Sequence, residues 1–170
     1  KKADERRKSA STTKMMCAWT VLQLAETNPG ILDERVTFSS LAGTTNGTGA
    51  GIKPGESVPV RDCLYGLLLP SGNDAGNALA EHFHSRLAPP DEAMLKRGIN
   101  DPNLATRVNF IAEMNRHALA IGMKHTFYRS SFGDGGTDQD RTTTAHDLVR
   151  LAQATMQSVA FRKIVATQHH

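Results

Sequence analysis

The sequence predicts a mainly α-helical domain, and three observations support this. Apolar residues recur at helical spacing in several segments between Met15 and Ala166, convincing strand patterns number at most one or two, and no internal repeat is visible. The 170 residues, 39% of them hydrophobic and 22% charged, are enough to bury one core without help from disulfides or metals. We therefore treat residues 1–170 as a single domain.

The first helix is predicted over residues 11–26. Nine of the eleven residues from Met15 to Ala25 are apolar, so this helix is expected to be buried on nearly all sides. The stretch 28–30, Asn-Pro-Gly, ends it, and residues 35–39 have the pattern of a short strand. Five glycines within residues 43–55 then predict a surface loop.

The later helices follow from the same periodicity. The second helix is predicted over residues 59–69, with Pro59 in its first turn and Pro70 closing it. Further helices are predicted over residues 73–83, 108–121, 144–156 and 159–166. Residues 86–103 contain three prolines and Gly98 and predict an irregular excursion with at most one helical turn around Met94. Residues 130–141 predict a polar, Gly-rich loop.

Composition excludes several function classes. A formal charge of +3 and 5% aromatic residues argue against a nucleic-acid surface. No apolar run reaches the roughly 18 residues of a membrane helix, and residues 1–8 are charged rather than apolar, so we expect neither span nor signal peptide in this stretch. Cys17 and Cys63 lie in apolar segments, which favours buried thiols over a disulfide or a zinc site.

The candidate nucleophile lies where the first predicted helix begins, in Ser11-Thr12-Thr13-Lys14. Residues three apart share a helix face, so the Ser11 hydroxyl and the Lys14 amine are expected within hydrogen-bond reach. A lysine activates a serine only when burial holds the amine neutral, and the apolar helix provides that burial. Taken alone, the pattern is more typical of an N-cap serine followed by a solvated lysine.

A second candidate motif, Ser71-Gly72-Asn73, lies at the junction of two predicted helices. Ser, Gly and Asn are common in turns and at helix caps, which is the structural interpretation of this motif. The functional interpretation is that the Ser71 hydroxyl and the Asn73 amide face Ser11, where they relay a proton and hold a substrate amide.

Both motifs resemble those of the serine D-alanyl-D-alanine carboxypeptidases, the low-molecular-weight penicillin-binding proteins. The similar segments are residues 11–16 and 64–75, and later positions match in the family's order: Phe110, Met114, Asn115, Ala118, Ile121, Gly122, Met123, Thr126, Phe127 and residues 144–148. The resemblance implies the α/β DD-peptidase/β-lactamase-like fold. This chain would be mainly its helical lobe, a partial catalytic domain with most of the antiparallel sheet outside residues 1–170.

The resemblance also implies a role for each residue. Ser11 would attack the D-Ala-D-Ala carbonyl of a peptidoglycan stem peptide, and Lys14 would take the serine proton. Ser71 would pass a proton towards the leaving amine, and Asn73 would bind the substrate and help to position Lys14. β-Lactams would acylate the same serine, no metal or organic cofactor is implied, and the substrate implies export to the periplasm or cell envelope. Membrane anchoring is left open.

The chain departs from the family in three places. No Lys-Thr/Ser-Gly triplet occurs, only ten residues precede Ser11, and residues 129–136 replace the family's usual Asn-Pro element. We expect the missing sheet residues to lie outside this stretch, although a naturally shortened homologue is an alternative. Residues 86–107 are interpreted as an insertion.

Two alternative functions stay open, and one candidate metal site is rejected. A serine β-lactamase shares both motifs, but none of Glu81, Glu92 and Glu113 is followed four residues later by Asn, as the best-known group requires. A non-catalytic homologue that only binds cell-wall peptide stays open. The stretch 81–84, Glu-His-Phe-His, places its two histidines on different helix faces and contains no H-E-x-x-H, so no metal site is predicted.

Overall fold

The computed structural model of the chain describes residues 2–99, 102–133 and 143–169. Within these ranges the chain forms helices and two short strands in this order: α1 (Thr13–Thr27), β1 (Arg35–Thr37), α2 (Ser40–Gly43), β2 (Ser57–Pro59), α3 (Val60–Leu68), α4 (Asn73–His84), α5 (Glu92–Lys96), α6 (Val108–Ala120), α7 (Ala145–Thr155) and α8 (Val159–Val165). Short 3₁₀ turns cover Ala10–Thr12, Pro29–Asp33 and Pro102–Leu104. The predicted mainly helical class is confirmed.

Helix α1 is the centre of the fold. It packs against α3, α4, α6, α7 and α8, and Met16, Cys17 and Val21 are completely buried. The buried hydroxyl of Thr20, in the middle of the helix, donates to the carbonyl of Met16 at 3.0 Å, so this polar group stays satisfied inside the core. The prediction of a helix buried on nearly all sides is confirmed.

The two strands form a small antiparallel sheet. Arg35 pairs with Pro59 and Thr37 with Ser57, and completely buried Val36 anchors the pair to the core. The first strand was predicted, but Pro59 was predicted to lie in the first turn of the second helix. In the structure Pro59 has extended backbone and is the last residue of β2, directly before α3. A three-residue strand that ends in proline carries too little alternation to be recognised from the sequence.

The excursion after α4 builds a small core of its own. Met94 of α5 is buried with Ile99, Ile111 and Phe127, so this segment covers one face of α6. The predicted helical turn around Met94 is confirmed as α5. The part of the predicted 130–141 loop beyond residue 133 lies outside the described residues.

The cysteines and helix lengths also bear on the predictions. Cys17 and Cys63 are free and completely buried, as expected, and burial raises the pKa of Cys17 to about 12. Across the described ranges, every helix is too short or too polar to traverse a bilayer.

Candidate active site

Ser11 and Lys14 lie on one face where the chain enters α1. Ser11 lies in the 3₁₀ turn Ala10–Thr12 rather than in the predicted α-helix, and Lys14 is the second residue of α1. A 3₁₀ turn has three residues per turn, so positions three apart still align. Lys14 Nζ lies 3.1 Å from Ser11 Oγ, which brings the predicted nucleophile and base into contact.

Ser71 reaches the same hydroxyl from the junction between α3 and α4. Its Oγ donates to Ser11 Oγ at 3.0 Å across 60 residues of sequence. Ser71 has a φ of 62°, a left-handed conformation that is uncommon for a residue with a side chain. Such conformations persist only where surrounding contacts enforce them, and they concentrate at functional sites.

The Lys14 amine is buried among neutral partners. The residue is 2% exposed, and besides Ser11 its Nζ donates to the Phe132 carbonyl at 2.9 Å. Among the described residues no carboxylate forms an ion pair with it. Burial lowers the pKa of Lys14, while the neighbouring Cys17 and Asp74 act in the opposite direction. Ser11, by contrast, is exposed, so the hydroxyl is accessible and the amine is shielded.

The Phe132 carbonyl reaches Lys14 because Gly133 follows it. Gly133 has a φ of 80°, and a Cβ at this position would lie 1.8 Å from the Ala10 carbonyl oxygen. Only glycine allows this close approach between residues 130–133 and the turn that carries Ser11. These contacts were not predicted from the sequence, in which Gly133, within the predicted polar loop, is the one signal that points to them.

Asn73 lies beside this group without joining it. Its side-chain amide donates to the Asn46 carbonyl at 2.8 Å, and within the described ranges no hydrogen bond links it to Lys14. The expected roles of Asn73 in substrate binding and in positioning Lys14 therefore stay predictions. The next residue, Asp74, is 5% exposed and accepts hydrogen bonds from main-chain amides of the 46–51 loop. Sequence reasoning did not single it out.

A pocket of about 400 Å³ opens beside Ser11. Its polar lining comes from Ser11, Thr12, Lys14 and Ser71, and the other lining residues are apolar, including Leu68 of α3 and Phe161 of α8. Such a pocket, with few convergent polar groups on an apolar wall, is typical of a small-molecule or peptide site.

The histidines of α4 form separate structural contacts. His82 lies 2.9 Å from a Glu34 carboxylate oxygen, and His84 Nδ1 accepts from the Asn109 main-chain amide at 3.2 Å. No cluster of three or more His, Cys, Asp or Glu suited to a metal ion occurs in the part of the chain that the structure describes.

Solved structures share this fold. The Streptomyces K15 DD-transpeptidase superimposes with a TM-score of 0.77 at 34% identity, covering 97% of this chain and 57% of that one. The D-alanyl-D-alanine carboxypeptidase DacD from Francisella tularensis superimposes with a TM-score of 0.76 at 30% identity, covering 96% of this chain and 34% of that one. The chain is thus the mainly helical part of a DD-peptidase fold.

Sequence comparison gives the family. The model of the Peptidase S11 family, D-alanyl-D-alanine carboxypeptidase, matches residues 1–86, and the chain belongs to this family. A D-alanyl-D-alanine carboxypeptidase from Streptomyces sp. strain K15 is 35% identical over 173 residues, covering 99% of this chain. The chain spans about half the length of that relative, 53%.

Proposed function

We propose that the full-length protein carrying this chain is a serine-type D-Ala-D-Ala carboxypeptidase that removes the terminal D-alanine from peptidoglycan stem peptides. The observation that carries the proposal is the contact of Ser11 Oγ with both Lys14 Nζ at 3.1 Å and Ser71 Oγ at 3.0 Å, at the edge of a pocket. Family membership gives the reaction class.

In the first step Ser11 is acylated. The neutral Lys14 amine takes the proton as Ser11 Oγ attacks the carbonyl carbon between the two D-alanines. Burial supports this role because it disfavours the ammonium form, and the N-terminus of α1 adds a positive partial charge that acts in the same direction. The Phe132 carbonyl, 2.9 Å from Nζ, would hold the amine in place during the transfer.

The leaving amine then needs a proton. As the C–N bond of the tetrahedral intermediate breaks, the Ser71 hydroxyl gives its proton to the departing nitrogen and takes a proton from the Lys14 ammonium, which returns to its neutral form. D-alanine leaves, and the shortened peptide stays bound to Ser11 as an ester. Water then attacks the ester, releases the peptide as a carboxylic acid and restores the Ser11 hydroxyl.

The same chemistry applies to β-lactams. Their strained amide would acylate Ser11, and the amine would stay attached to the acyl group because both belong to the opened ring. We propose that penicillins are inhibitors and that Asn73 binds the substrate backbone, together with groups outside residues 1–170. Since mature stem peptides lie outside the cytoplasmic membrane, the site of action is the cell envelope.

The test is covalent labelling of the full-length protein with benzylpenicillin, followed by mass spectrometry. We expect a long-lived adduct on the peptide that contains Ser11 and none on that peptide in S11A. An adduct that persists in S11A would exclude Ser11 as the nucleophile. Rapid hydrolysis of penicillin without an adduct would indicate a β-lactamase, and no reaction in either protein would indicate a binding homologue.

A further inference from the structure

The 46–51 loop holds the main chain around Ser71. The Thr48 hydroxyl donates to the Ser71 carbonyl at 2.6 Å, and the Thr48 carbonyl accepts from the Asn73 amide at 2.8 Å. The Asn73 side chain donates to the Asn46 carbonyl at 2.8 Å. The short segment that carries the left-handed Ser71 is therefore bonded to this loop at the carbonyl of the serine itself and at Asn73, two residues later.

Asp74 in turn holds the loop. Its Oδ1 and Oδ2 accept from the Ala50 amide at 2.8 and 2.9 Å, and Oδ2 accepts from the Gly51 amide at 3.2 Å. Oδ1 also accepts from the Ala75 amide at 2.7 Å. A buried carboxylate needs such donors in place of water, and the loop amides need such an acceptor.

The packing between these parts leaves no space for side-chain atoms. A Cβ on Gly72 would lie 2.7 Å from Asp74 Oδ1 and 2.9 Å from the Ala50 nitrogen, and one on Gly47 would lie 2.6 Å from Asn73 Nδ2. Displacement of the loop would therefore also displace the Ser71 segment.

We propose that Asp74 is a positioning residue for Ser71: by binding the 46–51 loop it keeps Ser71 in its left-handed conformation, with the hydroxyl on Ser11 Oγ. The left-handed conformation is unfavourable for a residue with a side chain, so contacts must enforce it. The inference rests on the proposed function, because it gives Asp74 a part in the same acylation.

The test measures the acylation rate constant of the full-length protein with a fluorescent penicillin, at a temperature well below each variant's unfolding transition. D74N keeps the shape but replaces two acceptor oxygens by one acceptor and one donor. We expect acylation to fall about tenfold or more, since displacements of about 1 Å at a reacting group cost up to about 100-fold. T48V removes one bond to the Ser71 segment from an exposed position, and a fall of a few-fold is expected.

Each substitution is also combined with S71A, and adducts are followed by mass spectrometry for hours so that slow variants remain measurable. If Asp74 acts through Ser71, neither D74N nor T48V slows S71A further. Two results would overturn the proposal. One is acylation at the wild-type rate in both D74N and T48V, and the other is an equal fold-loss of the acylation rate with Ser71 present and in the S71A background. If D74N does not fold, T48V decides by the same two criteria. A wild-type protein that forms no adduct would instead refute the proposed function.

The charge of Asp74 cannot produce the same result. Asp74 raises the pKa of Lys14, so D74N lowers that pKa further and increases the neutral fraction of the amine. Electrostatics alone therefore predicts an unchanged or faster acylation in D74N. A slower acylation in D74N that is absent in the S71A background is therefore explained by positioning of Ser71 and not by the charge of Asp74.

Discussion

The chain enters helices α1 and α7 with the same arrangement, a hydroxyl residue followed three positions later by a buried charged residue. At α1 the pair is Ser11 and Lys14, and at α7 it is Thr144 and Asp147. Thr144 caps its helix by accepting from the Asp147 amide at 3.2 Å, whereas the Ser11 hydroxyl contacts Lys14 Nζ and Ser71 Oγ. Identical spacing thus gives a helix cap in one place and a candidate nucleophile in the other.

The partners of the two charges explain the difference. Asp147 accepts from the His125 amide and the Thr126 hydroxyl, both at 2.8 Å, and lies 3.5 Å from Arg150. A carboxylate is also favoured at a helix N-terminus, where an ammonium group is not. Among the residues that the structure describes, no carboxylate forms an ion pair with Lys14, and burial lowers its pKa. The partners of Asp147 keep its carboxylate charged as part of the fold, whereas burial of Lys14 favours the neutral amine that a general base requires.

The largest expected effect is that of K14M, which removes the candidate base and keeps most of the side-chain volume. We expect acylation to fall by about 100-fold or more, because general bases typically contribute that much. Stability should not fall: the unfolded state binds the Lys14 proton more tightly than the folded state, so burial of the amine costs stability at pH values below 10.5. Acylation kinetics and thermal unfolding of the full-length protein measure the two effects.

D147N is the matched control, because it changes the other buried charge of the comparison. Loss of an acceptor for the His125 and Thr126 donors is expected to cost about 1–3 kcal/mol of unfolding free energy and to lower the melting temperature by several degrees. Acylation below that temperature should stay within a few-fold of wild type. If K14M destabilises the fold while D147N abolishes acylation, then Asp147 and not Lys14 is needed for acylation, and the account is contradicted.

A smaller effect is expected for G133A, which tests how the Lys14 amine is held. The added methyl group would collide with the Ala10 carbonyl and displace the Phe132 carbonyl from Lys14. We expect acylation to fall about tenfold.

The control for G133A is G55A. Gly55 also has a positive φ, 85°, but a Cβ there meets nothing within 4 Å. Both variants should lose roughly 1–2 kcal/mol of stability from the left-handed backbone, and only G133A should slow acylation. Equal acylation rates in the two variants would show that the contact between Phe132 and Lys14 does not matter.

Much of the fold and the centre of the site could be predicted from the sequence because both depend on local spacing. The apolar run of α1 fixed its burial, and the three-residue spacing brought Lys14 to Ser11 even though Ser11 lies in a 3₁₀ turn. Contacts made by the main chain could not be predicted. The Phe132 carbonyl reaches Lys14 across 118 residues of sequence, and any residue type would present the same carbonyl.

Asp74 was missed for a related reason. An acidic residue in the first turn of a helix is ordinary, and its bonds to the Ala50 and Gly51 amides depend on how the 46–51 loop folds back. The hydrogen bond from the Asn73 side-chain amide to the Asn46 carbonyl depends on the same fold of the loop.

The pH dependence of penicillin acylation tests the central claim most directly, namely that Lys14 is uncharged when Ser11 attacks. The neutral base accumulates as pH rises through the pKa of Lys14, so the rate constant of the full-length protein should rise with pH. Its midpoint should lie clearly below the ordinary lysine value of 10.5, and the rise should be absent in K14M. A midpoint at that ordinary value, or the same rise in K14M, would contradict the account.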